Sequence, residues 1–313
     1  MRIALFNDTG TQPHVGCLAV SAAHRLLLDR AGIRIARTYD GSQWHELTRP
    51  SLAAATEAAL ASHALRAVFT DVDAVVVNGE GTIHHAGGQH LLAILAAAAW
   101  VGRPALLVNA VLQDIDEARP VLAVLDDCTV RDARSARYLR RLGVPHRLVP
   151  DSIFNAPFVA EPCHDFSGAL VVTDCHPART AEFAPALDQL RRAWRSRIVD
   201  YPLRAPERRL DWQHAAADLQ SAVAVVTGRH HGACLALRAG VPFVTLPSNT
   251  WKIEGLLDML DGYPAAAADQ SLPLETRVAA ALAARDWFVA AGAAWRAMPP
   301  LDTFAVLALE RAA

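Results

Sequence analysis

The chain has 313 residues, room for two domains of ordinary size and a sizeable core. Apolar residues make up 52% and charged ones 20%, and 30 Lys+Arg against 32 Asp+Glu leave a formal net charge of −2, which excludes a disordered chain and a general nucleic-acid binder. The longest uninterrupted apolar run, residues 91–101, falls short of the roughly 20 residues of a membrane span, and MRIALFNDTG lacks the apolar core of a signal peptide, so a cytoplasmic location is expected.

Short β-branched runs alternate with longer helical patterns, the grammar of parallel α/β units. Residues 2–6 predict a first strand, followed by the loop NDTGTQPHVG and a helix over 17–30 ended by Gly32. A strand near 33–38 and an Ala-rich helix at 52–67 precede the strand 73–77, whose apolar run stops at NGEGTIHHAGG. Helix 89–101, strands 105–109 and 128–130 and helix 133–142 complete a first domain, assigned to residues 1–155. Residues 154–167 carry two prolines and little periodicity and read as a linker. The rhythm restarts at 169–173 in a second domain, residues 156–313, with helix 180–194, strand 198–200, helix 210–221, strand 222–227, helix 231–239, strand 243–246 and helix 253–260. Helices at 274–291 and 303–311 close the chain, with apolar faces expected to dock across the domains or onto a second copy in a homo-oligomer.

Cys17, Cys128, Cys163, Cys175 and Cys234 form no CxxC pair, and an odd count argues for reduced, mostly buried thiols. The single Lys, Lys252, stands among 29 Arg. It follows a strand and the loop PSNTW, where a compact ammonium would serve an anion in a way the planar Arg fork does not reproduce.

One pattern occurs twice: CTVRDARSARYLRRLGVP from Cys128 and AVVTGRHHGACLALRAGVP from Ala224. In each, a strand ends at an Arg, a helix follows, Gly closes it, and Val-Pro leads to the next strand. Ligands of open parallel sheets bind outside the carboxyl ends of the strands, where a helix N-terminus offers unpaired N–H groups to an anion. Arg131 and Arg229 are therefore expected to hold phosphate or carboxylate in a cleft with one cationic wall from each domain. The alternative for either one is a local ion pair, Arg131 with Asp132 or Asp127. His230 and His231 open the second helix, where its positive dipole end favours neutral imidazole, able to accept a proton; a structural histidine bonded to a carbonyl is the plainer reading.

In NGEGTIHHAGG, Gly79 and Gly81 allow close backbone approach to a ligand and Glu80 supplies a carboxylate. The turn lacks the third Gly of a dinucleotide fingerprint and the Lys-Ser/Thr of a Walker loop, which removes the main support for nicotinamide or ATP. His84, His85 and His90 lie close together without matching carboxylates or cysteines at ligand spacing, so no metal is expected.

These pieces together resemble the polysaccharide pyruvyl transferase family. DAVVVNGEGTIHH is similar to its strand and glycine-rich turn, VRDARSARYLRRLGV with VPDSIF to its Arg-Asp-x-x-Ser helix and following Asp, and VVTGRHHGACLALRAGVPFVTLPSNTWKIEGLL to its Arg-x-His helix, Gly-x-Pro strand and downstream Lys. The loop NDTGTQPHVGCLAV is similar to its N-terminal ligand loop. The resemblance implies two Rossmann-like domains facing a cleft, as in the B-type glycosyltransferase fold. It also implies phosphoenolpyruvate as co-substrate, a sugar hydroxyl pair as acceptor, and no other cofactor or metal. Carried over, Arg131 and Arg229 hold the donor's phosphate and carboxylate, His231 is the acid–base group and Lys252 adds charge; Asn7, Gly79, Glu80, Gly81, Ser135 and His230 are further expected substrate-binding residues, His230 at a position where the family tolerates other residues. Asn78 and Glu80 replace part of the family's usual glycine run, and PSNTW stands where a Tyr usually precedes the Lys; both departures fall where an acceptor would be recognised. Two other functions fit the same residues: a nucleotide-sugar glycosyltransferase with Glu80 or His231 as base, and a non-catalytic anion-binding relative.

Overall fold

A computed structural model describes residues 1–85, 87–194, 197–207 and 210–312. The chain divides into two compact units: Met1–Thr11, Val20–Asn155 and Pro300–Ala313 form the first, Gln12–Ala19 and Ala156–Pro299 the second. The passage after Asn155 coincides with the expected division, but two segments change sides. Residues 12–19 belong with the second unit and residues 300–313 with the first.

The first unit contains strands β1 (Arg2–Asp8), β2 (Arg34–Asp40), β3 (Ala74–Asn78), β4 (Ala105–Ala110), β5 (Asp127–Val130) and β6 (Arg147–Leu148). They form one sheet in the order β2-β1-β3-β4-β5-β6, every pairing parallel. Strands β1, β3 and β4 are apolar runs because both faces of a parallel sheet are covered, and AVVVN of β3 is buried throughout. Ile3, Leu5, Val76 and Val108 pack with Phe304 and Leu307 of the C-terminal segment. Arg147 pairs with Asp302 at 2.7 Å, and the Leu301 N–H donates to Asn155 Oδ1, so the returning segment has a reason to settle here.

The second unit contains β7 (Leu170–Cys175), β8 (Ile198–Asp200), β9 (Ala224–Gly228) and β10 (Phe243–Thr245), in the order β10-β9-β7-β8, again parallel. Each unit thus places its second strand on one side of its first and its third on the other. The order reverses between β1 and β3 and between β7 and β9, the points where such sheets open a crevice at their carboxyl ends. The helices Leu274–Ala283 and Arg285–Arg296 bury Val278, Ala281 and Phe288, and Gly292 lies against Gly240, so much of their apolar surface is used inside this unit.

The twice-occurring pattern folds the same way both times. The helix Ala133–Leu142 ends at left-handed Gly143 and the helix His230–Ala239 at left-handed Gly240. The helix expected at 52–67 is two, Leu52–Ala61 and His63–Asp71, because the Ser62 hydroxyl caps the second by accepting the Leu65 N–H. The region 210–221 is a 3₁₀ turn, Trp212–His214, followed by the helix Ala215–Gln220. Among the described residues no helix is long and apolar enough to cross a membrane.

Candidate active site

At the strand-order reversal of the second unit, β7 ends in Asp174 and Cys175 and β9 in Gly228, followed by Arg229. A Cβ on Gly228 would lie 2.7 Å from Cys175 Sγ and 2.9 Å from its Cα, so glycine is what lets the strand ends approach. Asp174 Oδ2 accepts from Arg229 Nε at 2.6 Å and also faces Nη2, while its Oδ1 accepts the Leu203 N–H. One edge of the guanidinium, Nε with Nη2, is thereby oriented. Thr227 Oγ1 accepts the Arg229 N–H at 3.1 Å and the Thr173 hydroxyl at 2.6 Å, which fixes the turn into the helix His230–Ala239.

The two histidines that open this helix differ. His230 is 3% exposed, its Nδ1–H donating to the Lys252 carbonyl at 3.0 Å and its Nε2 lying 3.5 Å from Cys234 Sγ. It ties the start of the helix Lys252–Leu257 to the helix that it opens. His231 instead meets His14, with ring centroids 5.6 Å apart and planes at 65°. Lys252 Nζ donates to Asn249 Oδ1 at 2.7 Å.

His14 was not among the expected site residues. It is carried here by residues 12–19, which pair with the chain after β8: the Val15 N–H donates to the Leu203 carbonyl, the Ala205 N–H to the Pro13 carbonyl, and His14 bridges Arg204. Burial holds the His14 imidazole well below its ordinary pKa, and the charges of His231, Arg229, Lys252 and Arg204 act in the same direction. His176, just beyond β7, is lowered too, first by burial and then by Lys252, Arg229 and Arg204. Three cations thus act on two histidines at one sheet end. Cys17 joins them: one ligand atom each from His14, Cys17 and His231 lie within 4.8 Å of one another.

Of the expected residues of the first unit, Asn7 and the turn 79–81 lie at its own strand-order reversal, where β1 and β3 end, and Arg131 and Ser135 follow β5. Asn7 adopts a left-handed backbone (φ 55), and its amide donates to the Asn78 carbonyl at 2.6 Å and to Thr82 Oγ1. Glu80, 7% exposed, accepts from Thr9 Oγ1 and from the Asn78 amide. Glycine at position 79 permits close packing, since a Cβ there would lie 2.5 Å from that of Ala110. Gly81 turns the chain with φ 57. Ser135 is fully buried: its N–H and hydroxyl bond to Asp132, which caps the helix, and its Oγ accepts the Leu112 N–H, so this residue builds the turn.

Arg131 departs most from expectation. It is 2% exposed and ion-paired at 2.5 Å with Asp151, which is fully buried. Asp151 is an ion-pair partner beyond the two that the sequence offered, and the Arg131 charge acts on Asp132 as well. Of the three histidines of the glycine-rich turn, His84 and His85 meet edge to face, while His90 lies against His45 at 4.3 Å with the rings tilted by 40°.

The second unit therefore carries a semi-buried cationic seat with two imidazoles beside it, suited to a small multiply charged anion and a proton transfer. Residues 27–250 match the model of the polysaccharide pyruvyl transferase family. No curated protein gives a significant match. Among solved structures, the chain is similar to UDP-GlcNAc 2-epimerase from Neisseria meningitidis bound to UDP-GlcNAc, at 13% identity over 99% of this chain and 100% of that one, with a TM-score of 0.53. It is similar also to MurG from Acinetobacter baumannii, at 16% identity over 99% of each chain, with a TM-score of 0.52. At such identities the likeness is one of fold, an α/β architecture of two Rossmann-like units.

Proposed function

Because the chain belongs to the polysaccharide pyruvyl transferase family, we propose that it moves a pyruvyl group from phosphoenolpyruvate onto two hydroxyls of a sugar in a polysaccharide or glycan precursor. The observation that carries this reading is that Arg229 precedes the helix opened by His230 and His231, Lys252 starts the helix tied to His230, and Arg204 bridges His14, whose ring meets that of His231. A donor with a phosphate and a carboxylate on one carbon matches a compact cationic seat better than a neutral sugar does.

In the reaction, the donor's methylene carbon takes a proton and becomes a methyl group, leaving C2 electrophilic. One sugar oxygen bonds to C2 and loses its proton, the C2–O bond to phosphate breaks, and the second oxygen closes the ketal as its proton leaves. One of the two hydroxyl protons balances that gained by carbon, and the other leaves with phosphate. His231 is the proton carrier in this scheme. Arg229 and Lys252 stabilise charge on the donor, and preorganised cations of this kind are often the largest catalytic contribution. Arg131, buried on Asp151, has no donor contact in the scheme.

Phosphoenolpyruvate is expected to raise the melting temperature while nucleoside diphosphates leave it unchanged, and phosphate release is expected to depend on a glycan acceptor. Stabilisation by a nucleoside diphosphate with no response to phosphoenolpyruvate would replace this reading with nucleotide-sugar transfer. Lys252→Arg keeps the charge but not its shape and is expected to lose most turnover; wild-type turnover in that variant would remove Lys252 from the site.

A further inference from the structure

His14 stands immediately before the helix Val15–Arg30, and its Nδ1 accepts the Gly16 N–H at 3.0 Å. The imidazole thereby caps the first turn, a task usually given to Ser, Asp or Asn. Gly16 itself presses on His231: a Cβ at this position would fall within the His231 side chain, against Cβ, Cγ and Nδ1. Its backbone has no left-handed φ, so the requirement for glycine is one of space. His14 closes a second side, its ring meeting that of His231 edge to face.

We infer that His14 and Gly16 form a seat that fixes the imidazole of His231, with His14 a positioning residue of the transfer reaction. This rests on the proposal that His231 carries the proton. His14 is unsuited to carry it: in the neutral ring Nδ1 is taken by the Gly16 N–H, the proton sits on Nε2, and the depressed pKa opposes a second proton near neutrality.

A thiophilic cation is the competing occupant, since His14, Cys17 and His231 bring their ligand atoms within 4.8 Å. Two observations disfavour it. Ligation through Nε2 would require the His14 proton on Nδ1, facing the Gly16 N–H donor to donor. The charges of Arg229, Lys252 and Arg204 also act on this spot and oppose a further cation.

Asparagine can cap the helix in place of His14 but has no ring, so His14→Asn separates capping from positioning. We expect it to fold with near-wild-type stability and donor KM while kcat falls by about 10- to 100-fold, as a reacting group displaced by about an ångström would. Wild-type kcat in His14→Asn would reduce His14 to a cap and overturn the seat. Gly16→Ala suits the helix by propensity yet collides with His231, and kcat is expected to fall at least as far. Nitrogen-15 histidine NMR of the substrate-free proteins reads the seat without any reaction. Altered His231 resonances in both variants support it, and unaltered ones overturn it whether or not the wild type consumes phosphoenolpyruvate, whose failure as donor would count against the proposed reaction alone. Zinc retained at one per chain and lost in Cys17→Ser would also overturn the seat, because a metal would then hold His231.

Discussion

Arg131 and Arg229 occupy matching places in the two occurrences of one sequence pattern, and their surroundings separate them. The Arg131–Asp151 pair is buried on both sides, whereas Arg229 and Asp174 are 14% and 22% exposed. Removing one partner of a buried pair typically costs about 3–5 kcal/mol, because the other charge is left uncompensated. Arg131→Ala is therefore expected to lower the melting temperature sharply. Arg229→Ala should melt near the wild type but bind the donor at least about tenfold more weakly, from the loss of a hydrogen bond to a charged group. Melting curves and donor titrations of the two variants decide between these roles, and equal effects on both would return the arginines to equivalent functions. His24 makes a second prediction at this scale. Its Nε2 lies 3.0 Å from Ser152 Oγ, and burial lowers its pKa from 6.5 to about 4 against the opposing pull of Glu80, Asp151 and Asp8. Between these values the unfolded chain binds a proton that the folded chain does not, so stability falls as pH falls, by about 1.4 kcal/mol per unit for this one group. His24→Gln should flatten part of the decline in melting temperature between pH 6.5 and 5. The remainder persists because the pKa values of His14 and His90 are lowered in the same direction. An unchanged slope would mean that His24 titrates normally in the fold.

At the scale of elements, the helix His230–Ala239 shows what was legible and what was not. Its limits follow from local rules, a strand ending just before Arg229 and a closing Gly240, and the expectation that it faces an anion follows from lying at the carboxyl end of a parallel strand. Which histidine faces the site was legible only as an expected difference, since neighbours on a helix point about 100° apart. The partners that decide it, His14 and the Lys252 carbonyl, lie far away in sequence. His231→Gln is expected to reduce turnover by roughly 10² to 10⁴ with donor binding largely intact, the usual contribution of a positioned acid or base. His230→Gln should chiefly lower stability and raise donor KM through the shifted Lys252 segment. A larger loss of kcat at His230 would reverse the assignment. The Arg131–Asp151 pair was illegible for the same reason, because Asp151 lies 20 residues downstream and no period in the chain links the two. The two-residue β6 and the break at Ser62 were illegible because neither spans enough residues to show periodicity.

For the whole molecule, alternation of strands and helices was enough to anticipate two parallel α/β units and the passage between them after Asn155, because the central strands β1, β3, β4, β7 and β9 carry apolar runs. Chain order misled at two places. Residues 12–19 look like the loop after β1, but Val15 and Ala205 bond them into the second unit, and His14 arrives there with them. Residues 300–313 follow the second unit in sequence yet belong to the first. Phe304 is 4% exposed and Leu307 fully buried against Ile3, Leu5 and Val76, and Phe304 meets His24 edge to face at 5.4 Å. Truncating a buried phenylalanine to alanine costs about 3–5 kcal/mol, so Phe304→Ala should weaken the first unit although it lies at the far end of the chain. The measurement is amide hydrogen exchange resolved by strand. Protection of β1, β3 and β4 should fall together, while β7 and β9 keep theirs if each unit rests on its own core. Loss confined to β7 and β9 would mean that the C-terminal segment supports the second unit after all.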